Sequence, residues 1–105
     1  MKKYIVKFTE EAMSERKSLA KFIKEEAKAP LTAERYMSGL KEEIKKLENS
    51  AEAIVIDENL SRQIGIEVRR TNYKNMAIIF SVDEENAYVH HIIPQKMVVF
   101  EIEIQ

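Results

Sequence analysis

The stretch that most restricts what this chain can become runs from Ile66 to Pro94. Three strand-like runs, Ile66–Thr71, Met76–Val82 and Ala87–Pro94, are separated by two polar four-residue segments, Asn72–Asn75 and Asp83–Asn86. Apolar runs bounded by turn residues at this spacing predict an antiparallel meander. The middle run is apolar at every position but Ser81, so both of its faces need cover. It is read as the central strand, covered by helices on one side and partly covered on the other. Arg69 and Arg70 sit on the first run, and His90 and His91 on the third. The few candidate chemical groups therefore cluster on one small sheet.

Upstream, Lys2 to Phe8 alternates, with Tyr4, Val6 and Phe8 on one side and Lys3 and Lys7 on the other, the pattern of a half-buried strand. Thr9 is placed to cap a helix, and Glu10 and Glu11 suit its positive end. Ala12, Leu19, Phe22, Ile23 and Ala27 give that helix an apolar stripe, and Pro30 stops it. Thr32 is placed to cap a second helix, whose stripe is Ala33, Tyr36, Met37, Leu40, Ile44 and Leu47, with Asn49-Ser50 at its end. Two helices joined by a short loop form an antiparallel hairpin. Gly39 inside the second helix costs about 1 kcal/mol relative to alanine, and close helix packing is the expected reason for it. Ala53–Ile56 is a short apolar run of unassigned state, and Asp57–Gly65 reads as a loop. The fold class expected is α+β: a strand, a helical hairpin, then a meander packed on the helices.

At 105 residues the chain is one domain, and 45% hydrophobic residues are enough for a single core. It has no cysteine, which excludes a disulfide framework and a thiolate metal site and agrees with a cytoplasmic location. Its apolar runs fall far short of the roughly 20 residues of a membrane helix, so no membrane association is expected. The opening Met-Lys-Lys-Tyr-Ile-Val-Lys-Phe is followed by Thr9-Glu10-Glu11 where a signal peptide needs an apolar core. Net charge is −1, but residues 1–50 carry 12 Lys/Arg against 9 Asp/Glu, and residues 51–105 carry 5 against 9. Because acids are interleaved with the lysines, the basic half reads as a solvated helix face.

Arg69 and Arg70 alternate across their strand. If Val68 faces the core, Arg69 projects from the open sheet face, where a guanidinium could clamp a phosphate or an acidic peptide, or form a surface ion pair. His90 and His91, as neighbours on a strand, are expected on opposite faces, one toward the core and one toward the open sheet. Either could exchange a proton near neutral pH. Tyr73, Lys74 and Lys96, near strand ends, add positive charge and a ring. There is no HxH or HExxH spacing, no glycine-rich phosphate loop and no nucleophile elbow, so neither metal nor cofactor is expected.

Several local strings then converge. Ala33-Glu34-Arg35-Tyr36 followed by Leu40, Ile44 and Leu47 is similar to the second helix of the RelE/ParE toxin superfamily. Val68-Arg69-Arg70, a turn and Ala77–Val82 resemble its arginine-bearing strand and central strand, and Val89–Ile93 resembles its last strand. The resemblance covers about residues 4–97 and points to the ParE branch. It implies the toxin of a type II toxin–antitoxin (plasmid stabilisation-like) pair, silenced by a cognate antitoxin protein whose flexible segment wraps it. ParE-like members block DNA gyrase by binding and are not nucleases. RelE-like members cut messenger RNA in the ribosome.

The departures from the family pattern favour binding over catalysis. Where many relatives carry a histidine and then an arginine, this chain has Pro94-Gln95-Lys96, and no tyrosine follows Tyr88. A nuclease needs cations around a developing phosphorane, and the second half is acidic. The expected contact residues are Arg69, Arg70, Tyr73, Lys74 and Lys96. The alternative is a ribosome-dependent endoribonuclease using Arg69, His90 and His91. A third reading is a non-toxic antitoxin-binding remnant. Residues 1–97 are taken as the toxin domain and 98–105 as a strand-like extension of it. In the run Met97–Gln105, Val98, Phe100, Ile102 and Ile104 share one face, a pattern suited to adding to a sheet edge or joining two copies.

Overall fold

A computed structural model of the chain describes residues 2–98. Strand β1 (Ile5–Phe8) leads into helix α1 (Glu10–Ala27). Between them Thr9 is extended, and its side-chain oxygen accepts the Ala12 N–H at 3.2 Å, with Glu10 and Glu11 in the first turn beyond it. The helix ends at Lys28, which takes the left-handed conformation (φ 56°).

Helix α2 (Pro30–Lys45) starts at Pro30, not at Thr32. Proline's fixed φ suits the first helical position, where no N–H is required, so the residue expected only to stop α1 also opens α2. Thr32 lies inside that first turn, and Ala29 occupies the cap position without a side-chain bond. A one-turn helix α3 (Leu47–Ser50) and a 3₁₀ turn (Ala51–Ala53) follow.

The expected loop at Asp57–Gly65 is instead helix α4 (Glu58–Ile64). Asp57 Oδ1 accepts the Leu60 N–H at 3.0 Å, and Gly65 closes the helix at φ 94°, where glycine avoids the Cβ penalty. Leu60 and Ile64, one turn apart, face inward. Just before α4, Ile56 bridges Arg69 and the Asp57 N–H donates to the Val68 carbonyl at 2.9 Å.

The meander comprises β2 (Arg69–Tyr73), β3 (Met76–Asp83) and β4 (Asn86–Pro94). Its turns are tighter than the sequence suggests, two residues each. Lys74 and Glu84 hold their first positions with φ 52° and 56°, as primed hairpin turns require. The sheet order is β1-β4-β3-β2, with β1 parallel to β4 and the other pairs antiparallel. β3 is therefore an inner strand, as its double-sided hydrophobicity demands.

Each sheet face has a core. Ile78, Phe80 and Val89 pack under the hairpin with Leu19, Leu40, Ile44 and Leu47. Ala77, Ile79 and Ile93 pack on the other face with Leu60, Val68 and Val98. Gly39 on α2 owes its place to a strand rather than to the neighbouring helix. A Cβ there would collide with the Tyr73 hydroxyl and come within 2.9 Å of the ring carbon that bears it. Tyr73 also donates to the Tyr36 carbonyl at 2.9 Å and meets the Tyr36 ring edge-on.

After β4, Gln95–Met97 form a 3₁₀ turn, and Val98 is helical (φ −56°, ψ −55°) and fully buried under α4 rather than extended. The remaining residues of the strand-like tail, 99–105, lie outside the described residues. No helix among the described residues is long and apolar enough to cross a membrane.

Candidate functional site

The arginines of β2 face opposite sides of the sheet, since Arg69 pairs with Phe80 and Arg70 with Ile79. Val68 does face a core, but it is the core under α4. Arg69 consequently turns to the hairpin side instead of an open face. There its Nη1 donates to the carbonyls of Glu52 at 2.9 Å and Ile54 at 2.6 Å. The guanidinium holds the 3₁₀ turn and the strand-like segment after it against the sheet. The same corner contains Lys2, 3.5 Å from the Glu52 carboxylate, and Tyr4. Burial, followed by the hydrogen bond to Glu52, pushes the Tyr4 phenol up to about 12. That phenol, followed by Lys2, holds Glu52 below the usual carboxylate range.

Arg70 is only partly covered. Its Nε donates to Asn72 Oδ1 at 3.1 Å, and it lines a shallow cavity of about 500 Å³ with Ile54, Val55 and Ile56. Tyr73 packs on Gly39 as described. Lys74 sits at the β2–β3 turn with its ammonium 5.8 Å from the rings of both Tyr36 and Tyr73. Gln95 ties the segment bearing Lys96 to that turn, through its side-chain amide to the Lys74 carbonyl and its N–H to the Asn75 carbonyl. Tyr73, Lys74 and Lys96 thus gather at one end of the sheet, while Arg69 and Arg70 lie apart on its two faces.

The histidines do not take opposite faces. The β3–β4 register slips between Ile79 and Phe80, leaving His90 as the extra residue of a bulge. Val89 and Ile92, three apart, consequently point into the same core. Both histidines line a cavity of about 350 Å³ with Thr9, Glu10 and Glu11 at the start of α1. His90 Nε2 lies 2.7 Å from Ser81 Oγ, and burial followed by His91 lowers its pKa from the ordinary value, against an upward pull from Glu11. His91 Nδ1 lies 3.3 Å from the Glu15 carboxylate and 3.9 Å from that of Glu11. Glu15 also accepts the Ile92 N–H at 3.0 Å, and Thr9 donates its N–H to the Val89 carbonyl. These contacts seal the β4 edge where β1 ends. Arg69 stands two strands away, beside Phe80, so the three residues of a nuclease reading are not brought together.

An apolar groove of about 480 Å³ lies between β1 and the hairpin. Val6, Phe8, Met37, Leu40 and Ile44 line it, with Arg16, Lys41, Lys45 and Glu48 also contributing. Arg16 stacks its guanidinium 4.8 Å from the Phe8 ring centre. Sequence reasoning did not single out Arg16, Lys41 or Lys45. The available signal was Lys41 and Lys45, one turn apart, beside the apolar stripe of Met37, Leu40 and Ile44. The approach of Glu11 and Glu15 to the histidines is likewise not legible in the sequence, because only the tertiary fold brings them together. Among the described residues, no group of three or more metal-binding side chains is placed to hold an ion.

The fold and groove define the class: a small α+β protein with a two-helix layer over a four-stranded sheet and an apolar groove at the sheet's parallel edge. Residues 6–99 match the family model described as ParE toxin of type II toxin-antitoxin system, parDE. The chain belongs to the ParE toxin family of type II toxin–antitoxin systems. A solved structure titled "Chromosomal ParDE TA system from P. aeruginosa" shares the fold at a TM-score of 0.70 and 16% identity, covering 87% of this chain and 95% of that one. No curated protein matches the sequence.

Proposed function

We propose that the chain is a cytoplasmic toxin that inhibits its target, DNA gyrase, by binding, and that a small cognate antitoxin silences it by laying an apolar segment in the groove between β1 and the hairpin. The observation that carries this reading is that groove. Val6, Phe8, Met37, Leu40 and Ile44 form an apolar surface with cations beside it. Such a surface suits a segment that folds on binding, with apolar side chains inward and acids outward.

Action without catalysis is supported by the placement of the basic and histidine side chains. Arg69 is engaged with two backbone carbonyls, and His90 with Ser81. The surfaces left for a target are Arg70 on one face and the Tyr73–Lys74–Lys96 end of the sheet. The similar solved structure from P. aeruginosa is of a ParDE TA system, which agrees with an antitoxin partner for this chain.

Induction in growing cells separates the readings. Inhibited supercoiling and an SOS response are expected. Codon-linked cuts in messenger RNA, mapped by primer extension, would replace the gyrase reading with the ribosomal one. Growth unaffected by induction would leave only a non-toxic antitoxin-binding protein.

A further inference from the structure

The groove that the antitoxin reading uses lies along a sheet edge. Among the described residues β1 is the terminal strand of the sheet, paired there with β4 alone. Its outward-turned Ile5 is 55% exposed, while Val6 and Phe8 face the groove. Arg16, Lys41 and Lys45 outnumber the single acid, Glu48. An extended segment with apolar side chains at alternate positions and acids between them would satisfy apolar surface, strand edge and cations together.

The chain carries such a segment. Phe100, Ile102 and Ile104 alternate with Glu101, Glu103 and Gln105. We propose that this segment of one copy occupies the β1–hairpin groove of a second copy, in competition with the antitoxin. The inference rests on the reading of that groove as the antitoxin's site.

The contact is between copies because of where the tail departs. Val98 is buried against Ala77, Ile79 and Ile93, on the sheet face opposite the groove. At about 3.3 Å per residue, chain length alone limits the reach of Phe100 and Ile102 to about 7 and 13 Å from it. Passing β4 and β1 takes about 10 Å at the usual strand spacing, and turning around the edge to the opposite packing layer takes about 10 Å more. Those two side chains therefore cannot enter their own groove. A second copy has no such restriction. Reciprocal exchange would give a closed two-fold pair, in which the toxin's own tail shields its apolar groove until an antitoxin displaces it.

The absence of cysteine from the chain makes the test direct. Full-length single variants Gln105→Cys and Lys41→Cys, made by cell-free synthesis, are mixed and mildly oxidised. The expected product is a mixed disulfide dimer, about ten-fold above that of Gln105→Cys mixed with Glu26→Cys on the exposed side of α1, and suppressed by excess antitoxin from the adjacent reading frame. No excess over the Glu26→Cys control overturns the proposal. So does an intramolecular disulfide in the Lys41→Cys/Gln105→Cys double variant, and so does a cross-link that persists with antitoxin bound. Failure of the antitoxin to bind at all, with the cross-link intact, counts against the antitoxin reading and leaves the tail–groove contact standing.

Discussion

Arg69 Nη1 lies 2.6 Å from the carbonyl oxygen of Ile54, and that bond makes the most prominent basic side chain of the meander a structural clamp. The same nitrogen also bonds the Glu52 carbonyl. Arg69→Ala leaves both carbonyls without their charged donor. The variant should lose about 2 kcal/mol, lowering Tm by roughly 10 °C. Arg70→Ala, whose guanidinium bonds Asn72 alone among the described residues, should change stability by less than about 0.5 kcal/mol. Thermal unfolding followed by circular dichroism checks both. A toxicity defect in the Arg70 variant would then report target contact, whereas one in the Arg69 variant would report lost fold.

Gly39→Ala should destabilise by about 1–3 kcal/mol, because the added methyl meets the Tyr73 ring. In a Tyr73→Ala background the same change should cost at least about 1 kcal/mol less. Urea unfolding of the four-member cycle measures this coupling. Equal costs in both backgrounds would mean that Tyr73 is not the reason for the glycine.

Stability should fall with acidification around His90. Its folded pKa lies below the unfolded value of 6.5, through burial and then His91. The unfolded chain therefore binds the proton more readily. The contribution is complete above about pH 6.5 and is lost as pH drops toward the folded pKa. Urea midpoints at pH 8 and pH 5.5 should differ less in His90→Asn than in the parent. An unchanged difference would assign the acid sensitivity to other groups.

Asp57→Ala removes the cap of α4 and should cost about 1 kcal/mol. Asp57→Ser should recover most of it. If the alanine variant unfolds at the parent's temperature, the cap contributes nothing.

Much of this fold was legible in the chain, and the failures have physical causes. The hairpin stripe, the Thr9 cap and the double-sided apolarity of Met76–Phe80 each follow from periodicity and polarity, and the α+β order follows from them. Helix α4 was missed because it is only seven residues long and offers just two apolar positions, although Asp57 and Gly65 bracket it with cap signals. The start of α2 was misplaced because Pro30 serves two helices at once. The bulge at His90 is not written in the alternation of β4. It emerges from pairing with β3, and it put both histidines in one cavity where strict alternation separates them. Strand parity puts Arg69 on the face opposite Val68, but parity alone does not show that each sheet face carries its own core. The groove cations were hidden for a similar reason, since Arg16 reaches Phe8 only once α1 folds back over β1.

If the β1–hairpin groove receives the antitoxin, a charge placed among its apolar side chains must weaken binding. The most direct measurement is the affinity of the protein from the adjacent small reading frame for the full chain and for Met37→Glu, which puts a carboxylate among the groove's apolar side chains. Tight binding to the parent is expected, with a loss of at least about ten-fold, or 1.4 kcal/mol, in a variant that stays folded by circular dichroism. Equal affinity for the two chains would contradict it.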